Sequence, residues 1–315
     1  MKPRYRHDLP QMRGDLFLTD GGLETTLVFL EGVDLPLFAA FPLLVDEKGR
    51  EQLRRYYLPY LELAKERGLG FVIDTPTWRA SQDWASKLGF DAAALDGLNR
   101  QAVAFAEELR DEFAHTTGPL VISGAMGPRG DGYRADFRMS ATEAKDYHAA
   151  QIGSFADAGA DFVSAVTLNY PEEAIGIAQA AKAAAMPAVI SFTVETDGRL
   201  PSGHSLADAL AAVDDATGGY PAYYMINCAH PSHFAHVLAD GGGWLDRIRG
   251  IRANASALSH AELDEATELD SGDSAALAAD YRALRQTLRQ LCVVGGCCGT
   301  DHRHVRAICE AVAPG

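Results

Sequence analysis

Cysteine is scarce and late in this chain. There are five in 315 residues, none before position 228 and four of them between 292 and 309. A disulfide-stapled secreted fold needs an even set spread along the chain, so that class is excluded. Positive charge is short as well, with 28 Lys+Arg against 43 Asp+Glu and a formal net charge of −15. A nucleic-acid binder shows a basic stripe and a partner of anionic membranes a polybasic cluster, so neither partner is expected. No run of about 18 apolar residues occurs, hence no bilayer-spanning helix is expected. The opening MKPRYRHDLPQMRGD has neither the apolar core nor the small-residue cleavage site of a signal peptide, and the expected compartment is the cytoplasm, where thiols stay reduced. A GxGxxG turn is also missing. After the first apolar run stands Asp20-Gly21-Gly22-Leu23-Glu24, which weakens the reading of an open dinucleotide-binding sheet.

What the chain does have is 47% apolar residues, enough for a substantial core, ordered as an alternation of short β-branched runs and Ala-rich helical stretches. Strands are predicted over residues 16–19, 71–74, 120–123, 162–168, 188–194, 222–226, 248–253 and 291–294. Helices are predicted over 51–67, 92–113, 141–158 and 275–289, from Pro171, from Ser205, after Pro231, and over 301–312. Thr142 and Ser140 are candidate caps with Glu143 in the first turn, and Pro171 suits a first helical position. Eight strand–helix pairs predict an α/β fold of the (β/α)8 TIM-barrel type, a single domain with long loops on its C-terminal face. Residues 1–15 read as an N-terminal extension and 16–315 as the barrel, with no linker between domains. The long connections 23–50, 195–204 and 256–272 all follow strands, which puts them on the face where barrels build active sites.

Two features at strand ends carry chemistry. Gly295-Gly296-Cys297-Cys298-Gly299-Thr300 follows the eighth strand, and Ile226-Asn227-Cys228 ends the sixth. In a barrel both points lie on one rim, so three thiols about 70 residues apart in sequence can meet. Three thiols with an open fourth position suit Zn²⁺. A vicinal redox disulfide and a cysteine nucleophile are the alternatives that the pattern leaves open. The flanking glycines supply the sharp turn that two adjacent, converging cysteines need. His230, His233, His236, His302 and His304 stand near these cysteines as candidate fourth ligands, while Cys292 and Cys309 read as small buried hydrophobes.

GGCCGT, the upstream INC, the N-terminal DGG and the stretch Asp74-Thr75-Pro76-Thr77-Trp78-Arg79-Ala80-Ser81 together resemble the homocysteine S-methyltransferase family, over nearly the whole chain. The resemblance implies a zinc-dependent methyltransferase that moves a methyl group from a sulfonium or quaternary ammonium donor to a small thiol, homocysteine giving methionine. It implies Zn²⁺ on Cys228, Cys297 and Cys298, with the substrate thiol as fourth ligand. It assigns Asp20, Gly21, Gly22 and Leu23 to the amino acid's ammonium and carboxylate, and Asn227 and Thr75 to the pocket. Trp78, Tyr133, Phe137, Tyr170 and Phe192 are candidates to face a cationic donor. Arg79 is a candidate for a carboxylate. The chain departs from the family pattern at Val166, where many relatives carry a Glu that grips the ammonium. Glu24 or Glu195 then compensates, or the acceptor is a different thiol or a selenol. A zinc-thiolate barrel that binds without turnover is the alternative from another class. The partners so implied are a small thiol acceptor and a methyl donor, and a homo-oligomer is compatible with the sequence.

Overall fold

The computed structural model describes residues 2–115 and 117–313; residues 314–315, the end of the expected barrel domain, lie outside the described residues. Its eight strands are β1 (Phe17–Leu18), β2 (Gly70–Asp74), β3 (Leu120–Met126), β4 (Phe162–Leu168), β5 (Ala188–Phe192), β6 (Tyr223–Asn227), β7 (Ile248–Ala253) and β8 (Val293–Gly296). They pair in parallel in chain order, and β1 closes on β8, so the sheet is a complete barrel. The strands are buried on both faces because helices cover the outside, and they are accordingly apolar almost throughout. The helices are α1 (Leu23–Thr25), α2 (Glu47–Arg67), α3 (Gln82–Lys87), α4 (Ala92–Phe113), α5 (Ala141–Ala158), α6 (Pro171–Ala183), α7 (Leu206–Thr217), α8 (Pro231–Ala239), α9 (His260–Glu265), α10 (Ser274–Thr287) and α11 (His302–Val312).

Local chemistry sets several helix starts. Ser140 accepts from the Glu143 amide while the Glu143 carboxylate accepts from the Ser140 amide, a capping box that opens α5. Ser205 caps α7 by accepting from the Asp208 amide, and Asp301 opens α11 in a capping box with His304. The predicted α2 began four residues late. Asp46 accepts from the Gly49 amide and opens the helix at Glu47. The connection predicted as a loop over 256–272 contains α9, started by a second capping box on Ser259 and Glu262.

The barrel interior is filled from below by Phe17, Val72, Val121, Phe162, Val189, Tyr223, Met225, Cys292 and Val293, with Leu9 of the N-terminal segment packed against them. The upper rim is left to polar residues. There β4 departs from regular pairing: its register against β5 shifts between Ala165 and Leu168, and Thr167 takes a left-handed φ of 63°. This bulge turns the end of β4 over the barrel mouth.

Candidate metal centre

Cys228 is the first residue past β6 and has a left-handed φ of 57°. A non-glycine residue in that region is strained, and such strain collects where surrounding contacts over-determine a site. Those contacts are visible. The Cys228 amide donates to the Arg252 carbonyl on β7 at 3.1 Å, and the Cys228 carbonyl accepts from His260 Nε2 at 2.8 Å and Thr193 Oγ1 at 3.2 Å. On the other side of the rim, the Cys297 amide donates to Ala253 and the Cys298 carbonyl accepts from Ala255, which fastens the turn to β7. The turn closes with the Thr300 amide on the Cys297 carbonyl at 3.1 Å, and Gly299 has a φ of 78°. A side chain at Gly296 would collide with Thr300 Oγ1, so the close return of the chain requires glycine there.

The result is that one Sγ from each of Cys228, Cys297 and Cys298 lies within 4.8 Å of the other two, and Cys228 Sγ is 3.5 Å from Cys298 Sγ. Three thiols this close cannot all ionise unaided. Hydrogen bonds from the other two thiols, with Arg252 assisting against burial, push Cys297 well below the ordinary thiol range. Cys228 is pushed well up, first by its hydrogen bonds to Cys297 and Cys298 and then by burial. A soft dication removes that conflict by letting all three sulfurs carry charge, so the donor set fits a thiolate-bound metal ion. Among the described residues no histidine joins the group. His230 caps α8 through Ser232, His233 bonds the Ala257 carbonyl, His236 the Asp197 carbonyl, and His304 pairs with Asp301; His302 is exposed on α11. Cys292 is buried in the barrel floor, where burial lifts its thiol to about 11, and Cys309 is buried on α11.

Three loops meet over the sulfurs. Tyr133, from the loop after β3, places its hydroxyl 2.9 Å from Cys228 Sγ and 3.6 Å from Cys298 Sγ. Its ring stacks on His260 of α9 at 4.1 Å between centroids. His260 Nδ1 lies 3.1 Å from the Glu195 carboxylate while Nε2 meets the Cys228 carbonyl. Both ring nitrogens thus face acceptors. Burial opposes the charged ring, yet the bonds to Glu195 and Cys228 prevail and raise the pKa.

Above the cysteines lies a cavity of about 400 Å³. Asp20, Gly21, Gly22, Leu23, Thr75 and Asn227 line it together with the three cysteines, and so does Val166. Glu195 does not; its carboxylate is held by His260 beside the cavity. Of the aromatic candidates, Trp78 and Tyr133 line the cavity. Phe137 is exposed and lies over Arg129, Phe192 is buried, and the buried Tyr170 accepts from the Met139 amide. Asn227 works across strands: its Oδ1 accepts from the Thr167 amide at 2.8 Å and from Ser191 Oγ at 2.6 Å, and its Nδ2 donates to Thr167 Oγ1. It therefore pins the bulged end of β4. Thr75 Oγ1 accepts from the Ala125 amide and lies 2.6 Å from Thr77 Oγ1.

The cavity wall also holds a cation that sequence reasoning missed. Arg252, on β7, donates to Asp20 Oδ1 at 2.6 Å, to Asp74 and to the Gly296 carbonyl. Tyr56 donates to Asp20 Oδ2 at 2.9 Å, and Ser164 to Asp74 Oδ1 at 3.0 Å. Burial, with Asp74 nearby, still lifts Asp20 to about 6 against the pull of Arg252. Glu24 is lifted to about 7, chiefly by burial and then by Cys297 and Asp20. Arg252 and His260 belong to no motif in the chain, and Asp74 opens the Asp74–Ser81 stretch without a role being read for it. Only their places at or beyond strand ends could have marked them.

Comparison with known proteins agrees with this geometry. The family model described as homocysteine S-methyltransferase matches residues 17–312. Homocysteine S-methyltransferase 4 of Zea mays is 26% identical over 95% of this chain and 90% of its own length. The homocysteine S-methyltransferase YbgG of Bacillus subtilis is 25% identical over 74% of this chain and 76% of its own. In fold, the chain resembles the oxidized form of the homocysteine methyltransferase MmuM from Escherichia coli, with a TM-score of 0.76 at 24% identity, covering 96% of this chain and 97% of that one. A single match that runs the length of the barrel, from β1 to the last helix, decides the matter: the chain belongs to the homocysteine S-methyltransferase family.

Proposed function

We propose that this protein is a zinc-dependent S-methyltransferase that moves a methyl group from a sulfonium or quaternary ammonium donor to homocysteine, giving methionine. The observation that carries the reading is the meeting of Cys228, Cys297 and Cys298 within 4.8 Å at the mouth of a cavity of about 400 Å³. Those three cysteines would hold the ion; a metallated form is known for the Escherichia coli relative MmuM. When bound, Zn²⁺ supplies the Lewis acidity that keeps an acceptor thiol deprotonated at neutral pH, where a free thiol of pKa about 8.5 is only a few per cent thiolate.

The chain's own residues do the rest. Methyl transfer turns a thiol into a thioether. The thiol proton is lost, the sulfur lone pair forms the new C–S bond, and the pair of the broken bond returns to the donor, which leaves neutral. The donor's positive charge suits the faces of Trp78 and Tyr133 in the cavity wall. Gly21 and Gly22, lacking side chains, let the chain pack tightly against Thr300 and Cys297 at the cavity wall, and Asp20, Leu23, Thr75 and Asn227 shape the acceptor's end of the cavity. Tyr133, held flat against His260, sets its hydroxyl over Cys228 and Cys298.

A second reading, transfer to another small thiol or a selenol, is favoured by Val166, an apolar side chain in the cavity wall at the position where the family resemblance leads one to expect Glu. One assay separates the two. Zinc-replete protein is incubated with homocysteine or other small thiols and, in turn, S-methylmethionine, S-adenosylmethionine and betaine, and the products are weighed by mass spectrometry. Methionine from at least one donor is expected, together with about one bound zinc per chain that the Cys298→Ser variant loses. Methylation of a different thiol with no methionine from any donor would move the conclusion to the second reading.

A further inference from the structure

Three carboxylates line the cavity and are withdrawn from solvent: Asp20, Asp74 and Glu24. The remaining cavity carboxylates sit at its exposed rim. Asp20 is fully engaged, with one oxygen on Arg252 and the other on Tyr56. Asp74 is engaged in the same way by Arg252 and Ser164. Glu24 is different. Its carboxylate meets only its own backbone amide. The cation whose charge acts on it, Arg79, is committed elsewhere: its guanidinium lies over the Trp84 ring at 4.1 Å and the Trp78 ring at 4.8 Å, and it donates to the Leu37 carbonyl.

The backbone places Glu24 beside the sulfurs. Gly22 lies so close to the cysteine turn that a Cβ there would come within 2.6 Å of the Cys297 carbonyl oxygen. Its amide donates to the Thr300 carbonyl at 3.0 Å, and Thr25 Oγ1 accepts from the Gly299 amide at 3.1 Å. Glu24 stands between these two anchors, so its position is fixed against the turn that carries Cys297 and Cys298. A half-buried carboxylate with no ion pair of its own, in a cavity whose other two buried carboxylates share Arg252, is a recognition group awaiting its partner.

We propose that Glu24 is the specificity residue of the acceptor end of the cavity, its carboxylate receiving the α-ammonium of an amino-acid thiol. The inference rests on the methyl-transfer reading for the identity of the acceptor. It also explains how the cavity accepts an ammonium although Val166 offers none of the needed charge. The ammonium and the carboxylate meet as a charge-assisted hydrogen bond across the first turn after Gly22, and a thiol without the amino group forgoes that bond.

The test compares homocysteine with 4-mercaptobutyrate, the same thiol without its ammonium, by calorimetric titration of the full-length, zinc-replete protein without donor. The parent should bind homocysteine at least about tenfold tighter, as one charge-assisted hydrogen bond implies. Glu24→Gln should erase that preference while leaving 4-mercaptobutyrate as tightly bound as before, which also shows that the variant is folded. Glu24→Asp, which keeps the charge, should retain part of the preference. The proposal is overturned if the parent shows no preference, if Glu24→Gln keeps it, or if both thiols weaken together. Because binding is read without turnover, a preference seen in a protein that makes no methionine sustains this inference and strikes the reaction alone. Methionine formation with an unchanged preference in Glu24→Gln does the reverse.

Discussion

Arg252 holds two carboxylates from two other strands' ends, and the balance it strikes is uneven. One guanidinium faces Asp20 and Asp74, both buried, so the trio carries one negative charge too many for its surroundings. Asp20 bears the excess and is lifted from 3.8 to about 6. The sign of the consequence is fixed by linkage. A carboxyl whose folded pKa is raised binds its proton more tightly in the folded state. Folding is therefore favoured relatively at low pH and loses stability as pH rises through the window from about 4 to about 6. Asp20→Asn removes the titration. Urea unfolding at pH 4 and pH 7 should show the parent losing about 2–3 kcal/mol more over that interval than the variant. Equal losses in both proteins would mean that Arg252 neutralises Asp20 completely.

Elements, rather than residues, decide how well the rim holds its shape. Asp301 stands one residue past Thr300, which closes the cysteine turn, and caps α11: it accepts from the Arg303 amide at 2.9 Å and lies 3.0 Å from His304 Nδ1. Burial works against its charge, but the hydrogen bonds from His304 and Arg303 prevail and hold the carboxyl well below the usual range. Asp301→Ala should cost about 1–2 kcal/mol of stability, measured by chemical unfolding, as the loss of a helix cap does. It should also loosen the adjacent turn, read as faster alkylation of Cys297 and Cys298. This element was legible beforehand, because an Asp ahead of an amphipathic run is a local signal. So were β4 and β7, whose apolar runs match their observed limits residue for residue, and α4 and α5 likewise. The three cysteines were legible too, since GGCC and NC each stand at a strand end. The His260–Tyr133 stack was only half visible. Tyr133 stood among the aromatic candidates, but His260 lies in a stretch predicted as loop, and the stacking partner comes from a connection more than a hundred residues earlier. Arg252 was hidden for a related reason: it interrupts the apolar run of β7, and only closure of the barrel shows that its partners are Asp20 and Asp74.

At the scale of the whole molecule the two ends of the barrel divide the work. The upper end carries the sulfurs and the cavity; the lower end is closed by residues 2–13. Leu9 packs into the floor beside Phe17 and Met225, and Gln11 is fully buried, its carbonyl accepting from Cys292 Sγ at 3.1 Å. Asp161, at the start of β4, ties this segment to the barrel. Its Oδ1 accepts from the amides of Arg4 and Tyr5 at 2.8 Å each, while its Oδ2 accepts from Arg110 Nη1 and the Ile122 amide. Asp161 is completely buried, so removing the segment would strand an acceptor as well as expose the apolar floor. Burial of one large apolar side chain is worth about 1.5–3 kcal/mol and an orphaned buried acceptor costs about 1–3 kcal/mol. Deleting residues 2–13 should therefore lower the melting temperature by roughly 10 °C or more, since about 1 kcal/mol shifts a large domain by about 2–4 °C. The thiol rim is built from β6, β7 and β8 at the opposite end and takes no contact from the segment. Zinc stoichiometry at a temperature where the shortened chain is still folded should accordingly match the parent. Scanning calorimetry and metal analysis of one preparation read both quantities. A shortened chain that melts like the parent would show that the floor closes without its plug. A folded one that no longer binds zinc would show that the two ends of the barrel are mechanically coupled.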